Sequence, residues 1–217
     1  MNTQVLSALA FTALLLPTGA PERSAPPAFD GGEAVTAAVA TPPRLTVQPE
    51  SRIWFEGSST VRGYTCAATE LMGEVSTDPN RPTAPIAVLK EAVLGGEITV
   101  PVARLDCDNG TMNDHMRKAL KADEHATITY RLGSFDLGPA GEAEGQIEMK
   151  GRLTIAGQER DVAFPAEVVL EADGAIRVRG QTVIDMTEFG VKPPRLMLGT
   201  LKVHDNVTVF FDVVFKG

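Results

Sequence analysis

Apolar and polar residues alternate at every second position through much of the chain after residue 47. In one such stretch the apolar residues are Ile147, Met149, Leu153 and Ile155. The same pattern recurs at 51–56, 98–102, 162–170, 176–179 and 207–215. A period of two is typical of a β-strand with one buried face. The sequence therefore predicts seven or eight antiparallel strands in an all-β fold, as a half-buried sheet that closes on itself. A β-sandwich would show the same alternation, so periodicity alone leaves both architectures open.

Turn and helix signals interrupt the alternation at a few points. Asp173-Gly174 predicts a hairpin, and Gly95-Gly96 predicts a turn before the strand at 98–102. Thr111 to Asp114 resembles a capping box and predicts a short amphipathic helix, since apolar residues then recur at helical spacing. These residues are Met112, Met116, Ala119 and Leu120. A second short helix is expected from Pro85 through Leu89.

The first 47 residues differ in composition from the rest. An apolar run from Val5 to Leu16, followed by small residues, predicts a signal peptide over residues 1–20. The run is too short for the roughly 20 residues of a membrane span, so no transmembrane segment is expected. Residues 21–47 are rich in Ala and Pro without periodicity, which predicts a disordered linker. The folded domain is expected over 48–217, in a periplasmic or secreted protein.

The chain has two cysteines, Cys66 and Cys107. An even count in an exported protein favours a disulfide between them, and two buried thiols are the alternative. Neither cysteine belongs to a CxxC or Cys/His pair at ligand spacing, so no metal site is predicted.

Charge argues against one class of partner. With 28 acidic and 20 basic side chains the net charge is −8, and the Lys and Arg residues are scattered. Because phosphate neutralisation needs a basic face, no nucleic-acid partner is expected.

Catalytic motifs are equally sparse. Asp114 and His115 are adjacent, so on a helix they point about 100° apart and are poorly placed to act as a pair. The three histidines belong to no nucleophile-elbow or zincin motif. The sequence thus predicts a protein that is not an enzyme and has no cofactor.

The inward-facing row is made of Ile, Val, Leu and Met with few large aromatics. An eight-stranded barrel can be filled by such side chains or can hold one small ligand, and both outcomes use apolar residues. Val and Ile leave more unfilled volume than Phe and Trp, and a Met-bearing helix could cap one mouth.

Four blocks of sequence together resemble the YceI-like family of polyisoprenoid-binding proteins. The blocks are 51–55, 105–120, 151–157 and 185–190, in the family's order across residues 48 to 216. The resemblance implies an extended lipocalin-like β-barrel that holds a long apolar molecule non-covalently, such as an isoprenoid quinone or a fatty-acid derivative. By position, Asn113, Asp114 and His115 match the family's helix start beside the pocket mouth, where they would contact a ligand headgroup.

We therefore expect a non-catalytic carrier of an apolar, lipid-like ligand, and a homodimer is compatible with this expectation. The predicted wall residues of the cavity are Ile53, Phe55, Ile128, Tyr130, Met149, Leu153, Val178, Met186 and Phe211. The predicted lid residues are Met112, Met116 and Leu120. Two alternatives stay open: an enzyme that uses Asp114 or His115 on a lipid substrate, and an envelope interaction module with a solid core that uses its acidic face or the loop at 192–195.

Overall fold

The computed structural model describes residues 43–193, 195–196 and 201–217. The predicted signal peptide and most of the predicted linker lie outside the described residues. The described residues form twelve strands, which are β1 Arg44–Val47, β2 Arg52–Ser59, β3 Gly63–Ala68, β4 Met72–Thr77, β5 Val93–Pro101, β6 Leu105–Asp106, β7 Thr127–Ala140, β8 Glu144–Ile155, β9 Gln158–Leu170, β10 Ile176–Asp185, β11 Arg195–Leu196 and β12 Leu201–Lys216. The helices are α1 Leu89–Ala92 and α2 Gly110–Ala119, with 3₁₀ turns at Ile86–Val88, Val102–Arg104 and Met186–Phe189.

Eight of the strands form a closed antiparallel barrel. Their order is β1-β4-β5-β7-β8-β9-β10-β12, and β1 closes the ring because it pairs with both β4 and β12. A sandwich has no such closing pair, so the predicted barrel is confirmed and the sandwich alternative is excluded.

Strands β2, β3 and β6 extend the barrel wall at one end. β1 and β2 lie one after the other along β12, with Val47 opposite Phe215 and Arg52 opposite Asp212. β3 then pairs with β2, and β6 pairs with β3. On three sides of the barrel, two strands that are consecutive in the chain therefore form one wall: β1 with β2, β3 with β4, and β5 with β6. The connections between walls follow a simple up-and-down meander.

Two local predictions are corrected at β1 and β5. Residues 44–47, placed in the linker by composition, form β1, because Leu45 and Val47 alternate with polar neighbours and complete the ring. The Gly95-Gly96 pair lies inside β5 rather than in a turn. Ser76 pairs with Gly95 and Thr77 pairs with Val93, so the glycines accompany a β-bulge.

Helix α2 follows the second cysteine as predicted, but its cap differs. The Asn109 side chain accepts a hydrogen bond from the Met112 backbone N–H at 3.0 Å. Asn109 is therefore the N-cap, and Thr111 lies one residue inside the helix. The second predicted helix begins as the 3₁₀ turn at 86–88 and continues as α1.

The segment before β5 closes one end of the barrel. Ile86 and Leu89 are 0% and 3% exposed and pack into a cluster with interior residues of four barrel walls, β7 to β10. The cluster members from those walls include Phe135, Ile147, Phe164, Val168 and Ile176. This end of the barrel, which we call the closed end, is capped by Ile86 and Leu89, and the cluster around them forms the floor of the barrel interior.

The opposite end is held by the predicted disulfide. Cys66 on β3 is bonded to Cys107 in the loop before α2, across a sequence separation of 41. The Cys107 backbone N–H also donates to Asn113 Oδ1 at 2.8 Å, which fixes the start of α2 to the same loop. The bond therefore ties the helix to the extended wall of the barrel.

Candidate functional site

An inner cavity of about 250 Å³ runs through the barrel. Its wall is almost entirely apolar and receives residues from all eight strands of the ring. Wall residues include Leu45, Val75, Ile98, Ile128, Leu132, Met149, Leu153, Phe164, Val178, Ile184, Val209 and Phe211. On β12 the wall extends from Val207 to Phe215, which is about 26 Å along the strand and about 20 Å along the tilted barrel axis. Lining residues that follow a strand over this length leave room for an extended apolar chain.

Glycines in the wall make room for large rings. A Cβ atom on Gly151 would lie 2.8 Å from Tyr130 Oη, and one on Gly180 would lie 2.7 Å from Phe211 Cζ. Both glycines occupy inward positions of the alternating pattern, where any side chain would clash with the ring. Phe164 links the two rings, with centroid distances of 5.2 Å to Tyr130 and 5.6 Å to Phe211. The three rings, from β7, β9 and β12, thus form a connected row within the barrel.

An empty space of this size is costly to a folded protein. Natural cores contain few voids larger than a water molecule. At about 24 cal/mol per Å³, a cavity of about 250 Å³ forfeits about 6 kcal/mol of stability relative to a filled interior. A dry apolar cavity of about 150 Å³ already binds benzene or xenon, so the inner cavity is large enough for an apolar guest.

Polar groups inside the barrel are few. The Tyr130 hydroxyl is buried and has no hydrogen-bond partner in the described part of the chain. Burial raises the pKa of Tyr130 to about 12, so the phenol stays neutral at ordinary pH. Thr182 brings a second hydroxyl to the wall. Glu97 also borders the cavity, but its carboxylate is paired with Arg131 Nε at 2.6 Å. Because the two hydroxyl groups are uncharged and this carboxylate is neutralised, the inner cavity favours the apolar part of a ligand over a charged one.

A second space, the outer chamber, lies under α2 at the extended end of the barrel. Its volume is about 380 Å³, and its lining is more polar than that of the inner cavity. Phe55, Leu120, Met186 and Val191 line both spaces, so they form the partition between them. The outer chamber alone is lined by Ser59, Val61, Arg62, Tyr64, Cys66, Cys107, Asn109, Thr111, Met112, His115, Met116, Ala119, Pro193 and Val203.

The residues that α2 brings to the outer chamber share one face of the helix. Met112, His115 and Met116 are spaced at i, i+3 and i+4, which places them side by side. No residue of α2 is fully buried. Flexible methionine side chains adapt to irregular surfaces, so α2 has the character of an adaptable cover.

Most residues predicted to line the ligand site do face these spaces. The inner cavity is lined by the predicted Ile53, Phe55, Ile128, Tyr130, Met149, Leu153, Val178, Met186 and Phe211, together with the lid residue Leu120. The outer chamber receives the predicted Met112, His115 and Met116. Whether these residues contact a ligand remains a prediction.

Asn113 and Asp114 are placed differently from the prediction. Asn113 accepts from the Cys107 N–H and donates to Asp106 Oδ1 at 2.8 Å, which also lowers the pKa of Asp106. Asp114 is exposed and lies 3.7 Å from Arg117 one turn along the helix. Neither residue lines the inner cavity or the outer chamber. The predicted headgroup contact of these two residues is therefore corrected, because their side chains point to the loop and to solvent.

Sequence reasoning missed two groups of wall residues. The first comes from the short strands β1 and β4, including Leu45 and Val75, which carry few alternating positions. The second is the polar part of the outer chamber, including Arg62 and Tyr64, where the β2–β3 hairpin brings its residues under α2. Tyr64 packs edge-on against Phe55 at 6.4 Å, and burial raises its pKa.

Sequence comparison agrees with this architecture. The model of the YceI-like domain matches residues 46–215, which covers most of the chain. This chain belongs to the YceI-like family. The comparison with curated proteins finds no significant match.

Solved structures show the same fold at low identity. BcnA of Burkholderia cenocepacia is similar with a TM-score of 0.61 and 20% identity, over 77% of this chain and 98% of BcnA. A polyisoprenoid binding domain from Saccharophagus degradans, implicated in plant cell wall breakdown, gives a TM-score of 0.63 at 15% identity, over 81% of this chain and 99% of that domain. The YCEI protein of Campylobacter jejuni gives 0.51 at 19% identity, over 70% and 84% of the two chains.

Proposed function

We propose that this protein binds a long apolar chain inside its barrel and carries it in the bacterial envelope without chemical change. The guest is an isoprenoid quinone, a polyisoprenoid or a fatty-acid derivative. The observation that carries the proposal is the inner cavity, which is apolar and lined by residues from all eight strands of the ring.

The binding energy in this proposal comes from burial of apolar surface. Each Å² removed from water contributes about 25 cal/mol, less the cost of ordering a flexible chain. A guest also fills space that otherwise lowers stability. Because the wall offers few directional contacts, selectivity among long chains is expected to be loose.

Several observations support a carrier in the envelope. The Saccharophagus degradans neighbour is a polyisoprenoid binding domain, which supports the same class of ligand for this chain. The Cys66–Cys107 disulfide and the predicted signal peptide support export. No helix among the described residues has the length and hydropathy of a membrane span. Asp114 pairs with Arg117 rather than His115, so no observation favours the enzyme alternative.

The test is a binding measurement on delipidated protein with two matched tryptophan variants. Val178 and Gln181 lie on the same strand, but Val178 lines the inner cavity and Gln181 is exposed. Native mass spectrometry and equilibrium titration would follow an eight-unit polyprenol and, separately, hexadecanoic acid. Val178→Trp blocks the narrow cavity, whereas Gln181→Trp adds the same ring outside it.

We expect one molecule of polyprenol or fatty acid per protein. Val178→Trp should weaken binding at least about tenfold, a loss of about 1.4 kcal/mol, and Gln181→Trp should leave it unchanged. The proposal fails if neither probe binds, or if the two variants bind equally well. Conversion of a bound lipid to a product, abolished in Asp114→Ala or His115→Ala, would instead support an enzyme.

A further inference from the structure

The hairpin between β2 and β3 presents an apolar side chain at its tip. Val61 is 69% exposed, the highest value among the large hydrophobic residues that the structure describes. The Ser59 backbone N–H and Ser59 Oγ both donate to the Arg62 carbonyl at 2.9 Å. Ser59 Oγ also accepts from the backbone N–H groups of Val61 and Arg62 at 3.3 and 3.2 Å. A turn with so many internal hydrogen bonds is rigid, so it holds Val61 outward in water.

Two cationic side chains flank this tip. Arg62 follows Val61 directly and is exposed. Lys202 is adjacent on β12, since its carbonyl accepts from the Thr60 N–H at 2.9 Å and its N–H donates to Thr60 Oγ1 at 3.2 Å. Within the described residues neither cation has an acidic partner, although fifteen ion pairs are formed elsewhere. In a chain of net charge −8, this tip therefore combines an exposed apolar side chain with two cationic residues.

The tip also borders the outer chamber. Val61 and Arg62 line the outer chamber, and so does Val203, next to Lys202. The outer chamber shares its partition residues with the inner cavity. A surface that touched the tip would therefore face the chamber through which a guest reaches the barrel.

We propose that the β2–β3 hairpin tip docks this protein on a lipid bilayer with anionic headgroups. Val61 inserts at the headgroup boundary, and Arg62 and Lys202 attract the lipid phosphates. An apolar side chain beside basic residues is the combination that binds a membrane surface, and each Lys or Arg near an anionic surface adds to the attraction. The inference rests on the proposed function, since docking would let a long apolar chain pass from bilayer to barrel without crossing water.

The test uses charge variants at the tip and a matched control. Val61→Asp and Arg62→Glu alter the tip, and Leu94→Asp is the control. Leu94 is 59% exposed and lies at the start of β5 next to α1, at the closed end. Full-length protein would be pelleted with sucrose-loaded vesicles of phosphatidylcholine alone or with phosphatidylglycerol. A second assay would load the vesicles with radiolabelled eight-unit polyprenol and count its rate of transfer into the supernatant.

We expect wild-type protein and Leu94→Asp to bind anionic vesicles equally well. Arg62→Glu should weaken that binding about tenfold, since a favourable charge becomes an unfavourable one. Val61→Asp should weaken binding to both kinds of vesicle and slow polyprenol transfer to a similar extent. Circular dichroism would show that each variant is folded, and Val61→Ser would give the same direction of change with less perturbation.

The two proposals fail in different ways. If the tip variants pellet and transfer like Leu94→Asp while polyprenol still binds, the docking proposal is overturned and the proposed function stands. If the tip variants lose vesicle binding but no variant takes up polyprenol or fatty acid, docking stands and the proposed function fails. Equal pelleting of wild type with both kinds of vesicle would overturn the role of Arg62 and Lys202.

Discussion

The two ends of the barrel are built on opposite principles. At the closed end, Ile86 and Leu89 are buried against side chains from four barrel walls, β7 to β10. At the extended end, α2 has no fully buried residue, and Met112 and Met116 cover a chamber of about 380 Å³. The closed end is a packed core, whereas the extended end is an adaptable cover over open space.

The difference shows how one barrel can combine stability with access. The buried contacts of the closed end stabilise the fold. The extended end contributes less, because a region with few buried residues unfolds locally at low free energy. At the extended end a covalent bond adds stability, since the disulfide joins the loop before α2 to β3. The sulfur atoms of Cys107 and Met116 lie 3.8 Å apart, so the disulfide contacts helix α2 itself.

The largest expected effect on stability comes from the disulfide at the extended end. Replacement of both Cys66 and Cys107 by Ala should lower the free energy of unfolding by about 4 kcal/mol, because the disulfide closes a loop of 41 residues in the unfolded chain. Urea unfolding measures the change. A loss below about 1 kcal/mol would show that the mouth is held mainly by packing.

The next effect compares a side chain at each end. Ile86→Ala should cost about 3 kcal/mol, because it removes a side chain that is fully buried in the packed floor. Met116→Ala should cost less than about 1 kcal/mol, since Met116 is only partly buried beside open space. Urea unfolding of both variants measures the two losses in unfolding free energy. Equal losses in the two variants would show that the closed end and the extended end are packed equally well.

A smaller effect is expected where the interior is empty. In a packed core, an inserted ring costs about 1–3 kcal/mol. Val178→Trp points into the inner cavity and fills part of it, so it should not lower the unfolding free energy of delipidated protein. Thermal and urea unfolding of this variant and Gln181→Trp check the expectation. A large loss for Val178→Trp alone would indicate a filled interior.

The smallest effect is electrostatic and belongs to the closed end. Hydrogen bonds from Lys150 at 2.7 Å and Lys90 at 2.8 Å lower the pKa of Asp136 to about 2, and Lys90 belongs to α1. A depressed pKa adds stability above the unfolded value near 3.9, and this contribution is lost as the pH falls toward 2. The melting temperature should therefore fall over that window less steeply in Asp136→Asn than in wild type. Because the residues are exposed, high salt should remove the difference.

The sequence was most informative where strands are long and have one buried face. The period of two along 147–155 and 207–215 predicted strands β8 and β12, and nine predicted wall residues face the inner cavity. Ring closure was beyond periodicity, because it depends on β1, a four-residue strand that composition assigned to the linker. The gap at Gly151 in the apolar pattern became interpretable only when Tyr130 was seen to lie over it.

The outer chamber was harder to predict for a physical reason. Its wall combines α2 with the β2–β3 hairpin, which lie about 50 residues apart in the chain and are joined by the disulfide. Local patterns do not report such contacts. Asn113 and Asp114 illustrate the limit, since a helix start beside a pocket mouth has one face toward the chamber and another toward its own loop.

The central claim is that the barrel interior is kept empty for a long apolar guest. Crystals of delipidated protein under xenon pressure test this claim directly, because xenon enters dry apolar cavities without hydrogen bonds. The account predicts several xenon peaks in a line between the levels of Val207 and Phe215, and their loss in Val178→Trp. An interior without xenon, filled by well-ordered side chains in the wild-type crystal, would contradict it.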